Sequence, residues 1–130
     1  MRVITGTARG RVLRTLEGED VRPTTDRVKE AVFSIIQFEI EGRRVLDLFA
    51  GSGQLGIEAL SRGADSATFV DMSKDSLATV KYNLEHTKLG DRAKVIQTDA
   101  LSFLKLTKDR FDIVFIDPPY KMENTGEMCA

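Results

Sequence analysis

The stretch Arg43 to Gly56, RRVLDLFAGSGQLG, constrains the fold of this chain more than any other. Val45, Leu46, Leu48 and Phe49 make the short apolar run of a parallel strand covered on both faces, and Gly51-Ser52-Gly53 lets the backbone turn tightly into a helix that starts at Gln54. A strand, G-x-G-x-x-G at positions 51 to 56, a helix, and an acidic residue 20 positions beyond Gly51, at Asp71, match the dinucleotide-binding fingerprint. The motif alone predicts NAD.

Asp47 argues against that ligand. It falls near the carboxyl end of the strand, where the pocket is expected to open, and a carboxylate there repels a pyrophosphate approaching the helix N-terminus while attracting a cation. Three more strand-like segments end on or just before an aspartate: FVD at Asp71, VIQTD at Asp99 and IVFID at Asp117. Carboxyl ends of parallel strands share one sheet edge, so four carboxylates are expected around one crevice. That surrounding suits a ligand bearing an ammonium, a sulfonium and hydroxyls, and S-adenosylmethionine is such a ligand. The alternative is that each aspartate only caps a helix or begins a turn.

The rest of the chain alternates strand and helix. Strands are predicted at Ala67 to Asp71, Ala93 to Gln97 and Phe111 to Asp117, with helices over Gln54 to Arg62, Lys74 to His86 and Ala100 to Leu106. Leu77, Val80, Lys81 and Leu84 recur at helical spacing in the second of these. This pattern predicts an α/β, Rossmann-like domain with a parallel sheet in the order 3-2-1-4, its crevice between strands 1 and 4. Before it, residues 1 to 16 read as a β-hairpin or arm outside the main sheet. Pro23-Thr24-Thr25-Asp26 then starts a helix whose Val28, Val32, Ile35 and Ile36 are expected to face the sheet.

Charge is unevenly placed. Residues 1 to 29 hold seven basic and four acidic side chains, a net charge of +3, so the remainder carries −4 of the chain's total of −1. A basic arm beside an acidic pocket fits an anionic polymer held outside and a cationic cofactor inside; a solvated surface without a partner is the competing explanation. Arg9 and Arg11 on the arm, and Arg22, Thr24, Thr25 and Arg27 at the helix start, are the candidate RNA contacts. One cysteine, Cys129, offers neither a disulfide framework nor metal-ligand spacing, and no run of transmembrane length occurs, so a cytoplasmic protein without a metal is expected. His86, the single histidine, is expected to complement a helix C-terminus or face water.

The fourth strand delivers Asp117-Pro118-Pro119-Tyr120 to the expected crevice. Two prolines fix an extended turn, freeing the Pro118 carbonyl to act as an acceptor. Hydrogen bonds from an exocyclic amine to that carbonyl and to the Asp117 carboxylate favour the pyramidal, nucleophilic amine, while Tyr120 can stack on the base.

In combination, MRVITG, RPTTDRVKEAVF, DLFAGSG, LGIEALSRGA and DPPY resemble the RsmD family of 16S ribosomal RNA guanine-N2 methyltransferases, class I S-adenosylmethionine-dependent enzymes. The resemblance covers positions 1 to 120. It implies a methionine-moiety site at Asp47 and around Phe49, Gly51, Ser52 and Gly53, a ribose site at Asp71 with Met72 beside it, and an adenine site at Asp99 and Ala100. Asp117, Pro118, Pro119 and Tyr120 match the catalytic motif. Position 71 is often glutamate in the family, and Gln54 replaces a residue that is more often small. Family members continue past DPPY with three further strands, whereas MENTGEMCA reads as a polar tail, so an uncovered edge is expected at strand 4. The organisation read this way is an arm (1–20), a methyltransferase domain (21–120) and a tail (121–130). The expected activity is methylation of a guanine N2 amine in 16S rRNA, free or in a small-subunit assembly intermediate. Three other readings stay open: a cofactor- or RNA-binding module without catalysis, an N-methyltransferase for another base, and an NAD-dependent oxidoreductase.

Overall fold

The computed structural model describes residues 2–14 and 26–116. Helix α1 spans Asp26–Ile36, and then strand and helix alternate: β1 (Arg44–Leu48), α2 (Gln54–Ser61), β2 (Ser66–Asp71), α3 (Lys74–Thr87), β3 (Ala93–Gln97), α4 (Ala100–Leu106) and β4 (Ile113–Ile116). Among the described residues the pairings within the four-stranded sheet are parallel and the order is β3-β2-β1-β4, the Rossmann-like arrangement of class I methyltransferases expected from the sequence. β4 begins two residues later than expected because Phe111 packs against Phe103 of α4 while Asp112 pairs with the backbone of Arg44.

Strand alternation divides the core. Val45, Ala67, Phe69 and Phe115 face Phe33 of α1, Ile57 and Leu60 of α2, and Val80 and Leu84 of α3. Leu46, Leu48 and Val70 face Phe103 of α4. On that second face Val114 and Ile116 of β4 stay exposed, and among the described residues β4 pairs with β1 alone. No helix among the described residues is long and apolar enough to cross a membrane.

Two expected helix faces are each corrected at one position. On α1 the expected Val32 and Ile36 do pack against the core, beside the buried Lys29 and Phe33, whereas Ile35 is 82% exposed; the side chain of Val28 lies outside the described residues. Phe33 lies 5.5 Å from the Phe115 ring and Lys29 pairs with a buried carboxylate, Glu58, so the helix is rotated away from the face that apolar spacing suggests. On α3, Leu77, Val80 and Leu84 are buried but Lys81 is in solvent.

Gly56 fixes how closely α2 approaches the sheet. A Cβ there would sit 2.3 Å from a ring carbon of the fully buried Phe69. Gly56→Ala is therefore expected to destabilise the fold by about 1–3 kcal/mol through overpacking, despite the helix propensity that alanine adds. A urea titration checks this; a stabilised variant would mean that α2 does not press on Phe69.

The arm is held by α2. A single antiparallel bridge, Arg2 to Val12, stands where a hairpin is expected. Glu58, with 0% of its side chain exposed, accepts the amides of Ile4 (2.8 Å) and Thr5 (3.0 Å) and pairs with Lys29 Nζ (3.2 Å) and Arg62 Nε (2.9 Å). Ser61 adds Oγ bonds with Ala8 N and Thr5 O.

Candidate functional site

The carboxyl ends of the strands meet at one edge, and the glycine turn stands at its centre. β1 ends at Leu48, and Phe49 takes φ 58°, a left-handed conformation uncommon for a bulky residue and of the kind that collects at functional sites. Gly53 follows with φ 82° as the N-cap of α2 and supplies no side-chain cap, so the first amides of that helix need other acceptors.

Asp47 provides one. It is 1% exposed, and its Oδ2 accepts the Gly56 N–H at 3.0 Å. The expectation that Asp47 stands at the open mouth of the pocket is thus corrected. It shares the strand face of Val45 and Phe69, turned toward α2, where it meets the helix N-terminus. Asp71, the last residue of β2, is half-buried and bridges two further amides, Gly51 N to Oδ2 (3.0 Å) and Ser73 N to Oδ1 (2.8 Å). Asp99 follows β3 and caps α4, its carboxylate accepting the Ser102 amide and hydroxyl, each at 2.8 Å. The amide bond from Ser102, and then its hydroxyl bond, hold the Asp99 carboxyl below the usual carboxylate range, so it carries a negative charge at neutral pH.

These bonds bear on the ligand. A pyrophosphate binds such a turn through free backbone N–H groups, yet the amides of Gly51 and Gly56 already serve carboxylates. What remains is an edge with fixed negative charge. Each oxygen of Asp71 accepts one amide, and a carboxylate oxygen can take a second hydrogen bond, as from a ribose hydroxyl. Met72 beside it is 70% exposed, and Ala100 is half-buried in the first turn of α4. Among the described residues, two buried side-chain atoms lack a hydrogen-bond partner, Ser52 Oγ and Gln54 Oε1, and both belong to the turn and the helix start it leads into. A hydroxyl and an amide oxygen suit the carboxylate and ammonium of an amino-acid moiety, so the residues present fit S-adenosylmethionine. The departure from a small residue at Gln54 falls at this place.

Two cavities lie elsewhere. One, of about 430 Å³, opens at the opposite edge between Arg44, Ser66, Arg92 and Arg110; the other, of about 550 Å³, lies between the arm and the end of α2. Neither includes the turn, whose expected far wall, Asp117 to Tyr120, lies outside the described residues.

Arg9 and Arg11 are exposed on the arm. Arg22, Thr24 and Thr25 lie outside the described residues, as does the side chain of Arg27 in the first turn of α1. His86 is exposed on α3, stacked near Tyr82 with ring centroids 6.0 Å apart, and stands apart from the turn. Glu58 and Asn83, both fully buried, are functional candidates that motif reading passes over. The available signal was a polar residue among apolar ones on a helix face, IEAL and YNLE.

Comparison with known proteins agrees with this architecture. A family described as Conserved hypothetical protein 95 matches residues 1–130. YlbH of Bacillus subtilis is 48% identical over 93% of this chain and 67% of its own length. Ribosomal RNA small subunit methyltransferase D of Haemophilus influenzae is 45% identical over 92% of this chain and 64% of its own, and that of Escherichia coli K12 is 42% identical over 93% and 61%. Among solved structures, yhhF from Escherichia coli superposes with a TM-score of 0.84 at 43% identity, covering 94% of this chain and 66% of that one. The chain thus spans between 61% and 67% of the length of these curated relatives. It belongs to the RsmD family.

Proposed function

We propose that this chain binds S-adenosylmethionine at the glycine turn and transfers its methyl group to the N2 amine of a guanine in small-subunit ribosomal RNA. The observation that carries the reading is the occupation of the Gly51 and Gly56 amides by Asp71 and Asp47, which leaves a negatively charged edge suited to a cationic donor rather than to a diphosphate. Relatives that bear the name ribosomal RNA small subunit methyltransferase D support the RNA as substrate.

When bound, S-adenosylmethionine supplies an electrophilic methyl group on a sulfonium that departs as a neutral thioether. The chain does the rest. Asp71 holds the ribose hydroxyls, with Met72 beside it, and Asp99 with Ala100 holds the adenine. Ser52, Gly53 and Phe49 shape the turn around the methionine moiety, with Asp47 bracing it from beneath. Asp117 and the Pro118 carbonyl accept hydrogen bonds from the guanine amine, Pro119 keeps the turn rigid, and Tyr120 stacks on a base flipped out of its helix. Held there, the cofactor would offer that methyl group to the amine, and Asp117 or water would take the amine's surplus proton. Arg9, Arg11, Arg22, Thr24, Thr25 and Arg27 hold the RNA backbone. No metal takes part, and a cytoplasmic location follows from such a substrate.

The test is incubation with tritiated S-adenosylmethionine and small-subunit assembly intermediates, followed by nucleoside digestion. Label in N2-methylguanosine is expected. Label in methyladenosine or methylcytidine would reassign the base, and RNA without label would favour a binding module.

A further inference from the structure

Asn83 joins three parts of the molecule that are distant in sequence. It lies on α3 with no exposed surface. Its Oδ1 accepts the Arg14 N–H at 2.7 Å, and its Nδ2 donates to Arg14 O and to Ser52 O, both at 2.9 Å. Both backbone groups of Arg14 are therefore bound by one side chain. The amide orientation follows from its partners, because a flipped amide would set its oxygen against two carbonyl oxygens.

At one end of this link is the arm that carries Arg9 and Arg11. Its hold at Arg14 is reinforced by the guanidinium, 3.8 Å from the centre of the Tyr82 ring, one position before Asn83. At the other end is the glycine turn. The Ser52 carbonyl lies between Gly51, whose amide serves Asp71, and Gly53, where a Cβ would come within 3.2 Å of Val80 of α3. The turn is thus pressed on α3 on one side and tied to the ribose-site carboxylate on the other. A shift of the arm at Arg14 reaches the Ser52 peptide through one rigid amide.

We propose that Asn83 is a positioning residue that sets the cofactor turn against the RNA-carrying arm, so that RNA and the S-adenosyl ligand each strengthen the binding of the other. This rests on the function proposed above. Coupling between two sites is reciprocal and is commonly fivefold or more.

Asn83→Asp keeps the shape and the acceptor for Arg14 N–H but turns an oxygen toward the Arg14 and Ser52 carbonyls. Calorimetric titration of S-adenosylhomocysteine, with and without a 16S rRNA transcript, is expected to show affinity rising about fivefold with RNA in the parent chain and unchanged by RNA in the variant. Tyr82→Ala, which removes the guanidinium stack and the ring contact with His86 but leaves the Asn83 amide, is expected to keep the coupling; its loss there would move the link to the side chains and overturn the assignment. Should Asn83→Asp not fold, hydrogen exchange of the parent chain decides. Saturation with S-adenosylhomocysteine is expected to slow exchange over residues 2–14, and unchanged exchange there overturns the proposal. A parent chain that binds the thioether without any response to RNA would overturn this inference alone, whereas one that binds no thioether would overturn the proposed function with it.

Discussion

Glu58→Ala is expected to lose about 3–5 kcal/mol of folding stability, a large share of what a domain of this size possesses. The carboxylate is completely buried, pairs with both Lys29 and Arg62, and accepts two arm amides. Alanine withdraws the negative charge beside a fully buried ammonium and takes the acceptor from Ile4 and Thr5. Glu58→Gln keeps the volume and part of the hydrogen bonding, so its loss is expected to be smaller. Urea denaturation measures both, and hydrogen exchange should show residues 2–14 unprotected in the alanine variant at concentrations where the sheet is intact. A change below about 1 kcal/mol for alanine would mean that the arm and α1 are held by apolar packing rather than by this carboxylate.

Asp117→Ala is expected to lower methyl transfer at least about a hundredfold, the scale on which removing one hydrogen-bonding partner of a developing charge is felt. The carboxylate is proposed to accept from the amine in its pyramidal form and to take the surplus proton, and neither task involves holding the cofactor. Affinity for S-adenosylhomocysteine should therefore be retained. Single-turnover incorporation of tritium beside a thioether titration separates the two quantities. Equal incorporation by the variant would remove Asp117 from the reaction, and a parallel loss of thioether binding would place it in the cofactor site.

The elements were legible because each is bounded by residues with a local mechanism. β3 and α4 occupy the expected residues, since the short strand segment Ala93–Gln97 is cut off by Asp99, which caps the following helix with its own side chain. The sheet order followed from alternation and crossover handedness. What the sequence concealed were contacts that reverse the usual meaning of a residue type. A lysine ordinarily marks a solvent-facing position, so the expected face of α1 was drawn through Ile35 and left out both Lys29 and Phe33, which are buried. Likewise, being at a strand end placed Asp47 at the rim in the sequence reading, while the side-chain alternation of β1 put it under α2. Glu58 and Asn83 were hidden for the same reason: their partners, Ile4, Thr5, Arg14 and Ser52, lie 31 to 69 residues away in the chain.

The most direct test of the account is competition at the glycine turn between a sulfur-containing nucleoside and a dinucleotide. Calorimetric titration of the parent chain should show S-adenosylhomocysteine binding and no heat from NADH, with Asp71→Ala weakening the thioether because the ribose hydroxyls lose their acceptor. NADH binding without thioether binding would contradict it, since a diphosphate would then be seated on amides that Asp47 and Asp71 were taken to hold.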